Sequence, residues 1–197
     1  MTDYHPYVAE QKHGNDFLKD INYSVRRERL VIENRRFLFI ENDVADDFIK
    51  LKKATAKYVT YNFNEIFSLK IPFELRYLES SYKKAEYIIH LEDDWNDEGA
   101  LKYNFEVWKK ALNFVNEYAT TILIDFNKKI ESPKIYHGPK GSIDILIENE
   151  KYSLLINVIA DNEKAIYFGK DSFGNISKGE INISKINGAL IPIAFNF

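Results

Sequence analysis

Between positions 105 and 126, seven apolar residues, Phe105, Trp108, Leu112, Val115, Ala119, Ile122 and Phe126, recur at alternating spacings of three and four. At 3.6 residues per turn these positions share one side of an α-helix, so the spacing predicts a single helix of about six turns. Such a stripe needs a surface to cover it. It has the minimum length of a coiled-coil seam, which would make it the contact of a homodimer. Leu101 and Phe114 widen the apolar surface, and this favours the alternative, a core helix laid against a sheet of the same chain.

The sheet is legible downstream. After Pro133, Ile143, Ile145 and Ile147 alternate with Asp144, Leu146 and Glu148, and a polar turn over residues 148–151 leads into Tyr152, Leu154, Ile156 and Val158, which reads as a hairpin. Asp161 and Asn162 start the next turn, Ala165 to Phe168 forms a third strand, and the region of Gly169 and Gly174 reverses the chain before strands over 180–186 and 191–195. Short connections make neighbours antiparallel.

Upstream, Leu30-Val31-Ile32 and Phe37-Leu38-Phe39-Ile40 flank a polar tetrapeptide and predict another hairpin. A helix capped by Asn42 or Asp43, with Val44, Phe48, Leu51 and Tyr58 on one face, is expected next. A strand over Ile66 to Ile71 follows, then a second helix over 73–91 with Pro72 at its start. The fold class is therefore α+β: a C-terminal antiparallel β-meander packed against a long central helix, with an N-terminal hairpin and helices. Residues 1–22 are read as a flexible arm and 23–197 as one domain, divided into hairpin and helices (23–91), acidic turn and long helix (92–132) and meander (133–197).

A chain of 197 residues that is 45% hydrophobic can bury one full core. Its formal charge of −3 gives no global field toward nucleic acid or an anionic membrane. It has no cysteine, which removes disulfides and thiolate chemistry. The first residues have no signal-peptide core, and nowhere do eighteen apolar residues run together, so the cytoplasm is the expected address and no membrane partner is expected. Lysine outnumbers arginine, and the abundance of Ile, Asn, Tyr and Phe is read as AT-rich bacterial or phage coding.

Chemical motifs are sparse. Asp94, Asn96, Glu98 and Gly99 match the first, third, fifth and sixth positions of a calcium loop, but Lys102 and Phe105 occupy the ninth and twelfth, where ligands belong. These acids are read instead as caps of the long helix, with Trp95 tucked into the core. His90 beside Asp93 and Asp94, with His137 brought in by the fold, would make a metal or acid/base site; a hydrolase-like metal-dependent enzyme built on these four is the second functional reading. The segment from His137 to Ser142 could cradle an anion, but it leads into a strand rather than a helix and is read as a turn. Five of the six arginines, Arg26, Arg27, Arg29, Arg35 and Arg36, fall on the N-terminal hairpin. They form either a charged, solvated edge or a weak binding patch for nucleic acid.

Trp95-Asn96-Asp97-Glu98-Gly99-Ala100, the long helix, the proline, Pro139-Lys140-Gly141-Ser142-Ile143, Leu154-Leu155-Ile156-Asn157-Val158 and Tyr167-Phe168-Gly169 together resemble an uncharacterised family of small bacterial proteins. That family carries a W-D-x-x-G-A-like turn, a long helix and a C-terminal β-meander; here Asn96 replaces the aspartate. The resemblance spans under half of the chain, implies no established activity and, through members that look like cargo of mobile elements, implies a partner-binding or regulatory role. With 13 tyrosines and 14 phenylalanines, more than a core needs to hide, the first functional reading is a non-enzymatic protein that binds a protein partner, without a cofactor.

Overall fold

A computed structural model describes residues 28–33, 36–41, 57–160, 163–184 and 190. The chain divides into two compact units, Met1–Leu51 and Lys52–Phe197. In the first, β1 (Glu28–Glu33) and β2 (Arg36–Glu41) pair antiparallel, with Arg29 opposite Ile40 and Glu33 opposite Arg36. The expected hairpin is therefore present. The arm over 1–22 and the first expected helix, up to residue 56, lie outside the described residues.

The second unit begins with a hairpin, β3 (Tyr58–Phe63) and β4 (Phe67–Pro72). Asn64 and Glu65 both take positive φ and Ile66 N–H bonds to Phe63 O, the left-handed turn that matches strand twist. Tyr58, expected on a helix, thus opens a strand, since Tyr61, Phe63, Phe67, Leu69 and Ile71 are all buried and alternate at period two.

The expected helix over 73–91 is broken into three pieces: a 3-10 turn (Phe73–Leu75), α1 (Leu78–Ala85) and a second 3-10 turn (Glu86–His90). Pro72 ends β4, opposite Tyr58, rather than starting a helix. At the other end the Ala85 carbonyl accepts the Trp108 indole N–H at 3.0 Å, and the backbone tightens there.

The long helix, α2 (Phe105–Phe126), has the span that the stripe predicts. Asn104 caps it by accepting Glu106 N–H, and Asn127 closes it in the left-handed conformation. Leu101 lies before the helix and is exposed, whereas Phe114 is buried within it. The apolar surface is wider than a seam: Val107, Ala111, Phe114, Tyr118 and Ile124 are buried beside the stripe. A helix buried on so many sides is a core element, and α2 contacts β4, β6 and β7.

The meander is a five-stranded antiparallel sheet in the order β5 (Lys134–His137), β6 (Ile143–Glu148), β7 (Ser153–Val158), β8 (Lys164–Lys170), β9 (Ile176–Asn182). Sequence reasoning missed β5, whose four residues are too few to display alternation, and placed the last paired strand four residues late. The expected strand over 191–195 lies outside the described residues. The inner face carries Ile135, Ile145, Ile156 and Tyr167 in one cross-strand row that ends at Gly179. A Cβ at Gly179 would stand 3.1 Å from the Tyr167 ring, so glycine lets that ring close the row. Among the described residues no helix is long and apolar enough to cross a membrane.

Trp108 is fully buried, with its ring centroid 5.1 Å from Phe63, 5.8 Å from Phe67 and 5.7 Å from Phe105. Trp108→Ala should cost about 3–5 kcal/mol in urea unfolding, through lost burial and the cavity left behind.

Burial holds the hydroxyls of Tyr82 and Tyr118 protonated far above the usual range, and burial followed by the hydrogen bond to Glu86 does the same for Tyr61. An unfolded chain releases these protons near pH 10 while the folded chain keeps them, so this stability is complete below about pH 10 and is lost as pH rises beyond it. The urea midpoint should fall between pH 10 and 11. Tyr118→Phe should flatten that fall, while losing about 1 kcal/mol at pH 7 with the hydrogen bond to Leu190 O.

Candidate functional site

The acidic run folds as a self-satisfied loop. Asp93 Oδ1 accepts Lys102 N–H at 2.8 Å, Asp94 Oδ1 accepts Gly99 N–H at 2.6 Å, and Asn96 Oδ1 accepts the N–H groups of Glu98 and Ala100, each at 3.1 Å. Asp94, Asp97 and Gly99 all take positive φ, which short polar residues and glycine tolerate. The expectation that these acids cap the long helix is corrected: they satisfy the loop's own backbone, and Asn104 alone provides the side-chain cap of α2.

Trp95 from this loop packs edge-on to the His137 ring, 4.5 Å between centroids. Tyr87 and Tyr103 also stand edge-on to it at 5.8 and 6.2 Å. Tyr87 Oη is hydrogen-bonded to His137 Nδ1 at 2.9 Å, and Tyr103 Oη donates to Gly138 O at 2.5 Å. The turn after β5 is thereby anchored to the acidic loop, although more than thirty residues separate them in sequence.

Gly138 N–H bonds to Ser142 O, Ser142 Oγ donates to Pro139 O, and Asn157 Nδ2 donates to both Ser142 Oγ and Asp144 Oδ1. Between loop and turn opens a cleft of about 800 Å³, lined by Trp95, Lys102, Tyr103, Asn104, His137 and Lys140 among others.

Of the residues expected to form a metal or acid/base site, the structure gathers His137 with aromatic rings rather than with carboxylates. His90 packs its ring against Phe63 at 6.3 Å, while Asp93 and Asp94 hold loop backbone. Among the described residues no group of three His, Asp or Glu side chains is arranged to hold a metal ion. Of the arginine cluster, Arg29 lies in β1 and Arg36 in β2, and Arg26, Arg27 and Arg35 lie outside the described residues.

A second feature was not anticipated. The outer face of the sheet carries Leu146, Leu155 and Phe168 in one cross-strand row over β6, β7 and β8, with Lys178 next in line on β9. Ile166 stands two residues along β8 on the same face. Leu155, Ile166 and Phe168 are 39%, 52% and 44% exposed. Lys134 and Lys164 on this face pair with Glu148 and Glu180, whereas Lys170 and Lys178 make no ion pair among the described residues.

No family model matches the chain, and no curated protein or solved structure was found to be similar to it.

A Cβ added to Gly138 would stand 2.5 Å from Ser142 Oγ and 3.1 Å from Asn157 Nδ2. Gly138→Ala should therefore destabilise the second unit by about 1–3 kcal/mol, read from urea unfolding, because the turn must move off its hydrogen-bonded neighbours.

Proposed function

We propose that the chain binds a protein partner through the outer face of its five-stranded sheet, in a role that is not catalytic. The observation that carries this reading is the apolar row Leu146, Leu155 and Phe168 with Ile166 beside it, in which Leu146 is half-buried and the other three are exposed. The outer face of an antiparallel sheet that packs a helix on its inner face is ordinarily polar. Leu155, Ile166 and Phe168 stand exposed on adjacent strands, and contiguous exposed apolar groups of this kind mark interaction sites.

Charge defines the partner further. Lys170 and Lys178 lie on either side of Phe168, one along its own strand and one directly across on β9. Other charged groups of this face are matched within the sheet: Lys134 to Glu148, Lys164 to Glu180, and Asp144 to Asn157. The occupant that fits is a protein segment combining apolar side chains with carboxylates. Nucleic acid fits less well, since aliphatic Leu146, Leu155 and Ile166 offer no stacking surface and phosphate binding draws on many cations.

Selection of a phage-displayed peptide library against the full chain should enrich peptides rich in apolar and acidic residues, and Phe168→Glu should lose at least roughly tenfold in their affinity. Peptides that bind Phe168→Glu as well as the wild type, an empty selection, or a single-stranded oligonucleotide that binds this face in preference to peptide would each overturn the reading.

A further inference from the structure

We propose that the cleft between residues 95–104 and the turn 137–141 binds a small ligand through an anionic group, a carboxylate or a phosphate, with Lys102, Lys140 and His137 as its recognition groups. This site is separate from the sheet face and does not depend on the role given to that face.

The cleft's volume of about 800 Å³ falls within the range of small-molecule sites, and its two walls are held by the chain itself. The acidic loop is closed by Asp93, Asp94 and Asn96, and the Tyr103–Gly138 hydrogen bond and the Trp95–His137 contact join loop to turn. A ligand would therefore meet a preformed shape and pay little ordering cost.

The lining charges point to an anion. Lys102 and Lys140 make no ion pair among the described residues, and the one carboxylate in the lining is Glu98. The neighbouring Asp93 and Asp94 are turned to backbone N–H groups of their own loop. His137 has Nδ1 engaged by Tyr87, which orients the ring, while Nε2 has no hydrogen-bond partner among the described residues. Asn104, the N-cap of α2, is also in the lining, so the positive end of a 22-residue helix adds to the field of these cations.

Lys140 also holds a strained backbone position. It sits at φ 54, ψ 36, a left-handed conformation that costs a lysine about 1 kcal/mol and a glycine nothing. Lys140→Gly therefore removes the cation while relaxing the backbone, and separates loss of binding from loss of fold.

The test is titration of the ¹⁵N-labelled full chain with inorganic phosphate and, separately, with acetate, at constant ionic strength in chloride. Saturable shifts are expected at the Trp95 indole N–H and at the amides of Gly99, Lys140 and Gly141. Lys140→Gly and Lys102→Gln should each weaken binding roughly fivefold, and the double variant should abolish saturation. Saturation by phosphate alone assigns a phosphate ligand, and saturation by acetate assigns a carboxylate. Non-saturating shifts spread over exposed lysines, or saturation that both single variants leave unchanged, would overturn the proposal.

Discussion

Trp108 ties the central helix of the second unit to the elements around it. Its ring lies against Phe63 and Phe67 from the β3–β4 hairpin, and its indole N–H holds the carbonyl at the end of α1. One residue thus binds the central helix to both elements that precede it. Burying an indole costs least when its N–H finds an acceptor, and Ala85 O is that acceptor for Trp108. Further along the same helix Tyr118 Oη donates to Leu190 O and Asn116 Nδ2 to Lys70 O.

The tyrosines follow the same logic on a larger scale. Tyr61, Tyr77, Tyr103 and Tyr118 each insert an apolar ring and carry a hydroxyl to an acceptor distant in sequence, Glu86, Ile130, Gly138 and Leu190 in turn. Among the described residues, part of the aromatic abundance that suggests a sticky surface is consumed in the interior: Tyr61, Phe63, Phe67, Tyr82, Phe114, Tyr118 and Tyr152 are all in the core. The aromatic and aliphatic groups that remain outside, Phe168 and Ile166 among them, are informative because so many others are inside.

In the cleft, lysines line the walls while neighbouring aspartates are engaged within their own loop. Aspartates in tight turns accept nearby amide protons, which occupies their oxygens. The lysines of the same region have no such local acceptor and stay available.

The sequence alone determined α2, the β6–β7 hairpin and the α+β class, because these rest on periodicities of 3.6 and two that a single core imposes directly on residue order. It also contained both turns that wall the cleft, Trp95 to Ala100 and Pro139 to Ser142, as separate local motifs. Tertiary structure decided what local signals could not carry. Tyr58 joined a strand because Ile71 and Pro72 offered a paired edge, and the helix over 73–91 broke where Trp108 took the Ala85 carbonyl. His137 went to Trp95 and Tyr87 rather than to His90 and the aspartates, since those carboxylates had nearer donors in their own loop. Contacts between residues dozens of positions apart leave no period in the sequence, and the site is made of such contacts.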